Sequence, residues 1–179
     1  MKFSQSKNIK LYNTDILRFN LEKIVTKDSI IFGNLPYNIS SQILVKICLM
    51  KDLPTKLILM FQKEFAQRLL DKKLNSLNAL VNCFYDINNH FNVSKNCFRP
   101  IPKIDSSVLL FSKKKNPFLK TNEINNFIEF KRNIFSFKRK SLKKILKNYN
   151  LKQENFDLSK RIEEISLNQF LDIFRGINL

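Results

Sequence analysis

Residues 29–50 read SIIFGNLPYNISSQILVKICLM, and the hand-over inside this stretch decides the fold. Ile30, Ile31 and Phe32 form a short apolar run that Gly33 and Asn34 close, the signature of a buried strand. Ile43, Ile47 and Met50 then recur at helical spacing, with Ser40 or Ser41 placed to cap the helix. Strand, tight loop and helix are the unit of an α/β sheet, and such sheets bind ligands at the carboxyl ends of their strands. The loop itself is Asn34-Leu35-Pro36-Tyr37. Pro36 stiffens it and restricts Leu35 to extended backbone, which can aim a backbone carbonyl outward. An amide oxygen and a free carbonyl together accept both hydrogens of an exocyclic amine. Tyr37 offers a face on which a base stacks, worth roughly 1–3 kcal/mol. That combination suits the amino group of adenine or cytosine. The same tetrapeptide also makes an ordinary turn with Tyr37 in the core, and four residues do not separate the two readings.

Working outward, residues 9–12 (IKLY) predict a short strand that ends near Asp15. Pro54 breaks the helix, residues 57–61 (LILMF) read as a second apolar strand, and KEFAQRLLDKKL follows as an amphipathic helix. Strands that are apolar throughout read as buried parallel strands in an α/β layer architecture. Residues 75–87 fit a strand or a helix equally by period. NHFNVSKNCF, residues 89–98, predicts a short strand, and a proline-punctuated loop from Phe98 feeds another at 107–111. The run SKKKNP at 112–117 reads as a boundary. The expected organisation is therefore an α/β part over 1–113 and a small all-α domain over 118–179. In the latter, Ile128, Phe135, Leu142, Ile145 and Tyr149 keep helical spacing, and Ser166 with Gln169 forms a capping box.

Charge narrows the partner class. The chain carries 32 Lys and Arg against 15 Asp and Glu, a formal +17, and an excess of that size favours polyanions. Nucleic acid is the first expectation, an anionic membrane surface the second, and composition drift with solvated lysines the third. Three cysteines without a C-x-x-C pair and a single histidine leave no ligand set for zinc, and no metal is expected. The odd cysteine count suits a reducing compartment, here the cytoplasm. No apolar run reaches eighteen residues, so no membrane span is expected.

Four blocks resemble one family. FGNLPYNISS (32–41), LMFQKEFAQRL (59–69), FRPIPKIDSSVL (98–109) and FSFKRKSLKKIL (135–146) stand in the order and at the spacing of the ribosomal RNA adenine N6,N6-dimethyltransferases, the small-subunit enzyme in particular. The closing RIEEISLNQF also looks like that family's last helices. The resemblance implies a Rossmann-like methyltransferase sheet, S-adenosyl-L-methionine as cofactor, and ribosomal RNA or a small-subunit precursor as partner, met by a monomer. It implies that Asn34 holds the target adenine's N6 and also faces the cofactor. Leu35 or Pro36 supplies a backbone carbonyl, Tyr37 stacks on the flipped base, and Phe98 stacks on its other face. Asp15 resembles the acidic residue that accepts from the cofactor's adenine. The basic residues Lys138, Arg139, Lys140, Lys143 and Lys144 lie along the RNA backbone in this reading.

The same family pattern includes a glycine-rich turn after a first strand and an acidic residue after a second. This sequence has two glycines, Gly33 and Gly176, and no G-x-G. The expectation is an N-terminally truncated dimethyltransferase whose sheet holds the family's strands three onward, with weak or no activity alone. In that arrangement residues 9–12 lose their neighbour and the next strand exposes an apolar edge. Three other readings stay open: a non-catalytic RNA-binding or ribosome-assembly module, a large-subunit antibiotic-resistance methylase, and an adenine DNA methyltransferase. Leu35 stands where that last group carries a second proline.

Overall fold

The computed structural model describes residues 8–137, 139–149 and 157–177. Four strands and six helices alternate through it: β1 (Ile30–Asn34), α1 (Ser40–Cys48), β2 (Lys56–Gln62), α2 (Lys63–Leu70), α3 (Ser76–Val81), β3 (Tyr85–Val93), β4 (Ser106–Lys113), α4 (Ile124–Phe135), α5 (Leu142–Ile145) and α6 (Leu167–Gly176). The sheet order is β1-β2-β4-β3. Only β1 and β2 run parallel, joined by the α1 crossover; β4 lies antiparallel to both β2 and β3. The expected α/β class holds, while the expectation of parallel strands throughout is corrected to one parallel pair. Apolar content was misleading because β2 and β4 are buried for being central, whatever their direction.

Register explains the core. Leu57 stands opposite Phe111 and Leu59 opposite Leu109, so these side chains and Phe61 leave the sheet on one face, where all are fully buried. Ile43, Leu44 and Ile47 of α1 and Ala79, Leu80 and Val81 of α3 complete that layer. The alternate positions Ile58, Met60 and Leu110 are only half-buried. On β1, Ile30 is exposed and Phe32 is 72% exposed. β1 is an edge strand, and with Phe32 it gives the exposed apolar edge the strand order leads one to expect.

Several local expectations are corrected. Residues 9–12 form no strand; they run as exposed chain, with the Tyr12 ring resting on Phe19 at 5.0 Å, because no neighbouring strand pairs with their backbone. Residues 89–98 do not form a separate strand. β3 starts at Tyr85 and spans nine residues, with a register shift between Asn89 and Phe91. β4 outlasts the predicted 107–111 at both ends, and Lys114 still donates its backbone N–H to Phe84. The helical pattern after residue 122 is not one helix. α4 stops at Phe135 because the backbone at Leu142 and Lys143 donates instead to Lys160 and Leu158. The Ser166–Gln169 capping box forms as read, with both reciprocal hydrogen bonds in place.

The C-terminal helices close on an aromatic cluster. Phe127 and Phe130 of α4 meet Phe170 and Phe174 of α6 at ring separations of 5.2–5.7 Å. Arg175 ties α6 back by donating to the Phe118 carbonyl and the Glu123 carboxylate. One continuous set of buried apolar residues runs from the sheet layer into this cluster.

Candidate active site

The site is built where β1 hands over to α1. α1 begins at Ser40 without a side-chain cap; the serine hydroxyl instead donates to the Tyr37 carbonyl at 3.1 Å. That correction to the expected cap has a purpose in the geometry: it ties the helix start to the loop. Ile39 donates its N–H to the Pro36 carbonyl at 3.2 Å. The carbonyls of Pro36 and Tyr37 are thus engaged. Among the described residues, neither the Leu35 carbonyl nor the Asn34 amide takes part in a hydrogen bond.

Gly33 makes the tight approach possible. A Cβ there would stand 2.8 Å from both Leu35 Cδ2 and Leu59 Cδ2. Leu59 is fully buried and has no room to retreat, so the missing side chain is what lets Leu35 fold back over the strand end. Gly33→Ala is expected to cost about 1–3 kcal/mol in a urea unfolding series. An unchanged midpoint would show that both leucines yield freely.

The loop's cavity has a volume of about 370 Å³, and its walls are Asn34, Leu35, Pro36 and Tyr37 on one side and Phe98, Arg99, Pro100 and Pro102 on the other. Residues 34 and 98, 64 positions apart, thus face one space. Tyr37 is anchored through its phenol, which lies 2.6 Å from the hydroxyl of Ser106, a fully buried residue at the start of β4. Asp105 seats the opposite wall: its carboxylate accepts from the Lys95 N–H, and its carbonyl accepts from the Lys63 N–H at the β2–α2 junction. Arg99 folds onto its own loop, donating to the Asn96 and Phe98 carbonyls. Sequence reading left Asp105 and Ser106 as turn residues and passed over Arg99. The arginine beside Phe98 in FRPIP was the available signal.

Other expected site residues fall elsewhere. Asp15 is not part of this cavity; its carboxylate accepts from the Leu17 N–H at 2.9 Å and lies 3.7 Å from Arg18, both within its own turn. Arg139, Lys140, Lys143 and Lys144 are exposed, and Lys138 lies outside the described residues. Lys140 and Lys144 line a second cavity of about 380 Å³ with Phe137 and Tyr149. Cys48 and Cys83 are buried thiols, and desolvation pushes the latter up to about 12, so neither offers a thiolate. Among the described residues no three His, Cys, Asp or Glu side chains cluster to hold a metal, and no helix is long and apolar enough to cross a membrane.

Known proteins share this plan. The family model described as ribosomal RNA adenine dimethylase matches residues 1–179. A ribosomal RNA small subunit methyltransferase A from Flavobacterium johnsoniae is 35% identical, the match covering 94% of this chain and 67% of the relative. The protein of the same name from Mycoplasma capricolum is 32% identical, over 98% of this chain and 72% of the relative. A crystal structure of a dimethyladenosine transferase from Plasmodium falciparum superposes with a TM-score of 0.77 at 26% identity, covering 96% of this chain and 73% of that one. The 23S rRNA methyltransferase ErmE, at 19% identity and a TM-score of 0.71, shares the fold. Full-length agreement with the family model, relatives above 30% identity and two family loops closing on one cavity lead to one assignment: the chain belongs to the ribosomal RNA adenine dimethylase family.

Proposed function

We propose that this chain serves N6,N6-dimethylation of adenine in small-subunit ribosomal RNA, and that its own residues form the half of the site that holds the acceptor base. The observation that carries the reading is the single cavity shared by Asn34, Tyr37 and Phe98. An adenine N6 lone pair is delocalised into the ring and is a poor nucleophile. Asn34 Oδ1 and one backbone carbonyl accept its two hydrogens, which favours a pyramidal nitrogen with a localised lone pair. Pro36 already accepts from Ile39, so the oxygen left for this task is that of Leu35. Tyr37 stacks on the base with its ring angle fixed by Ser106, and Phe98 covers the other face. Catalysis in this scheme is placement and electrostatics, with no strong base.

S-adenosyl-L-methionine is the methyl donor of the family, and when bound it supplies an electrophilic sulfonium methyl group. Asn34 stands at the strand end where that group is presented. The rest of a donor cradle does not fit the residues present: Asp15 is engaged in its own turn, and the sequence has no G-x-G. Base extrusion costs a few kcal/mol and is cheapest in a hairpin loop. Arg139, Lys140, Lys143 and Lys144 contribute phosphate contacts, and the chain acts as a monomer in the cytoplasm.

The test uses an RNA hairpin carrying either adenosine or purine riboside, which lacks the 6-amino group, at one loop position. Adenosine is expected to bind several-fold tighter, and Asn34→Ala erases that difference. Tyr37→Ala weakens both by about 1–3 kcal/mol, a loss of roughly fivefold to a hundredfold. Equal affinity for the two hairpins, together with an inert Tyr37→Ala, would remove the base-holding role.

A further inference from the structure

The largest cavity among those described is not at the NLPY loop. It has a volume of about 710 Å³ and lies where α1, α3 and α4 converge, with Arg68, Lys131 and Arg132 on its walls. Ser136 lines both this cleft and the cavity of Lys140 and Lys144, so the two adjoin and five cations border one path.

Lys131 is the unusual member. It is only 9% exposed, and its ammonium donates to the Ser76 carbonyl at 2.9 Å and the Ser76 hydroxyl at 3.1 Å, both neutral acceptors. An ammonium has three donors, so one proton remains. Among the described residues no ion pair involves Lys131, Arg68, Arg132 or the one carboxylate on the wall, Glu163. A buried cation facing two arginines without a counter-charge is costly, and an arriving anion offsets that cost. The lysine's own titration agrees in direction: desolvation, then Arg132, lowers it. Apolar wall comes from Ile128, Phe135 and Ile162. A space of this size, within the roughly 300–1,000 Å³ of small-ligand pockets, takes more than a bare phosphate.

We infer that this cleft is a second RNA site, holding one nucleotide of a single strand with its phosphate among Arg68, Lys131 and Arg132 and its base against the apolar wall. The inference deepens the RNA reading above by assigning a contact away from the acceptor loop. Single-stranded RNA is held in this manner, by cations along the backbone and stacking surfaces between them.

The experiment measures fluorescence anisotropy of a short single-stranded RNA bound to the full chain over a series of salt concentrations. The double variant R68Q/R132Q alters two exposed side chains. It is expected to lower the slope of log affinity against log salt by about 1.4, since each lost contact to a single strand removes roughly 0.7. Affinity at low salt falls at least tenfold. K131M is expected to match it, and a melting curve shows whether that variant folds. K23Q/K27Q removes the same net charge from exposed positions outside the cleft and is expected to change affinity less than threefold. Asn34→Ala is expected to keep the wild-type slope, so failure of the acceptor loop and failure of the cleft give different results. An R68Q/R132Q chain that binds with wild-type affinity and slope, or a K23Q/K27Q chain that loses as much, overturns the proposal. Adenosine monophosphate serves as a competitor: displacement of RNA from the wild type that disappears in R68Q/R132Q supports a nucleotide-sized site. Displacement unchanged in R68Q/R132Q counts against it.

Discussion

With the donor at millimolar concentration, Asn34→Ala is expected to cut labelled methyl transfer to small-subunit particles about 10²–10³-fold, the loss typical when one preorganised polar group is removed from a reacting centre. Affinity for RNA should change far less, because phosphate contacts from a +17 chain supply most of it. The split follows from timing. The amide oxygen matters most when N6 becomes pyramidal and its hydrogens acidify, so its removal falls on the rate. In the structure that amide has no competing hydrogen bond among the described residues, and nothing needs to be broken before it accepts. Retained transfer within tenfold of wild type would show that the Leu35 carbonyl alone suffices. Absence of transfer by the wild-type chain would remove the catalytic role from these 179 residues.

Titrated alone, S-adenosyl-L-methionine is expected to bind the chain with a dissociation constant in the millimolar range, about 4 kcal/mol of standard free energy. A donor nucleoside is ordinarily gripped by backbone N–H groups of a glycine-rich turn and by a carboxylate on its ribose. Each such bond to a charged group is worth roughly 1.5–3 kcal/mol. The sequence has no G-x-G, and Asp15 already accepts from Leu17 and lies beside Arg18. Asn34 and the apolar surface of β1 remain. Isothermal titration calorimetry reads the constant directly, and micromolar binding would mean that other residues of this chain form the cradle.

Much of the acceptor site was legible because its chemistry is local. Asn34, Leu35, Pro36 and Tyr37 are consecutive, and the restrictions of Pro36 and the tightness of Gly33 act within a few residues. Phe98 was placed by resemblance, since no periodicity links it to Tyr37. The choice between Leu35 and Pro36 as the free carbonyl needed the Ile39 turn bond, which sequence does not specify. Ser106 looked like turn chemistry until the β4 register set its hydroxyl under the tyrosine. Asp15 was the opposite case: a carboxylate of the right type that its own turn had already claimed.

By itself the sequence determined the α/β class, the strand–loop–helix unit at 30–48, the Ser166 cap and the basic character of the chain, all consequences of local pattern and net charge. Tertiary structure alone decided the direction of β4, the failure of residues 9–12 to become a strand, and the exposure of Phe32. It alone also brought Arg68 to Lys131 across 63 positions. The physical reason is common to all four. A strand exists only when another supplies its hydrogen bonds, and a buried charge acquires its surroundings only when distant segments pack.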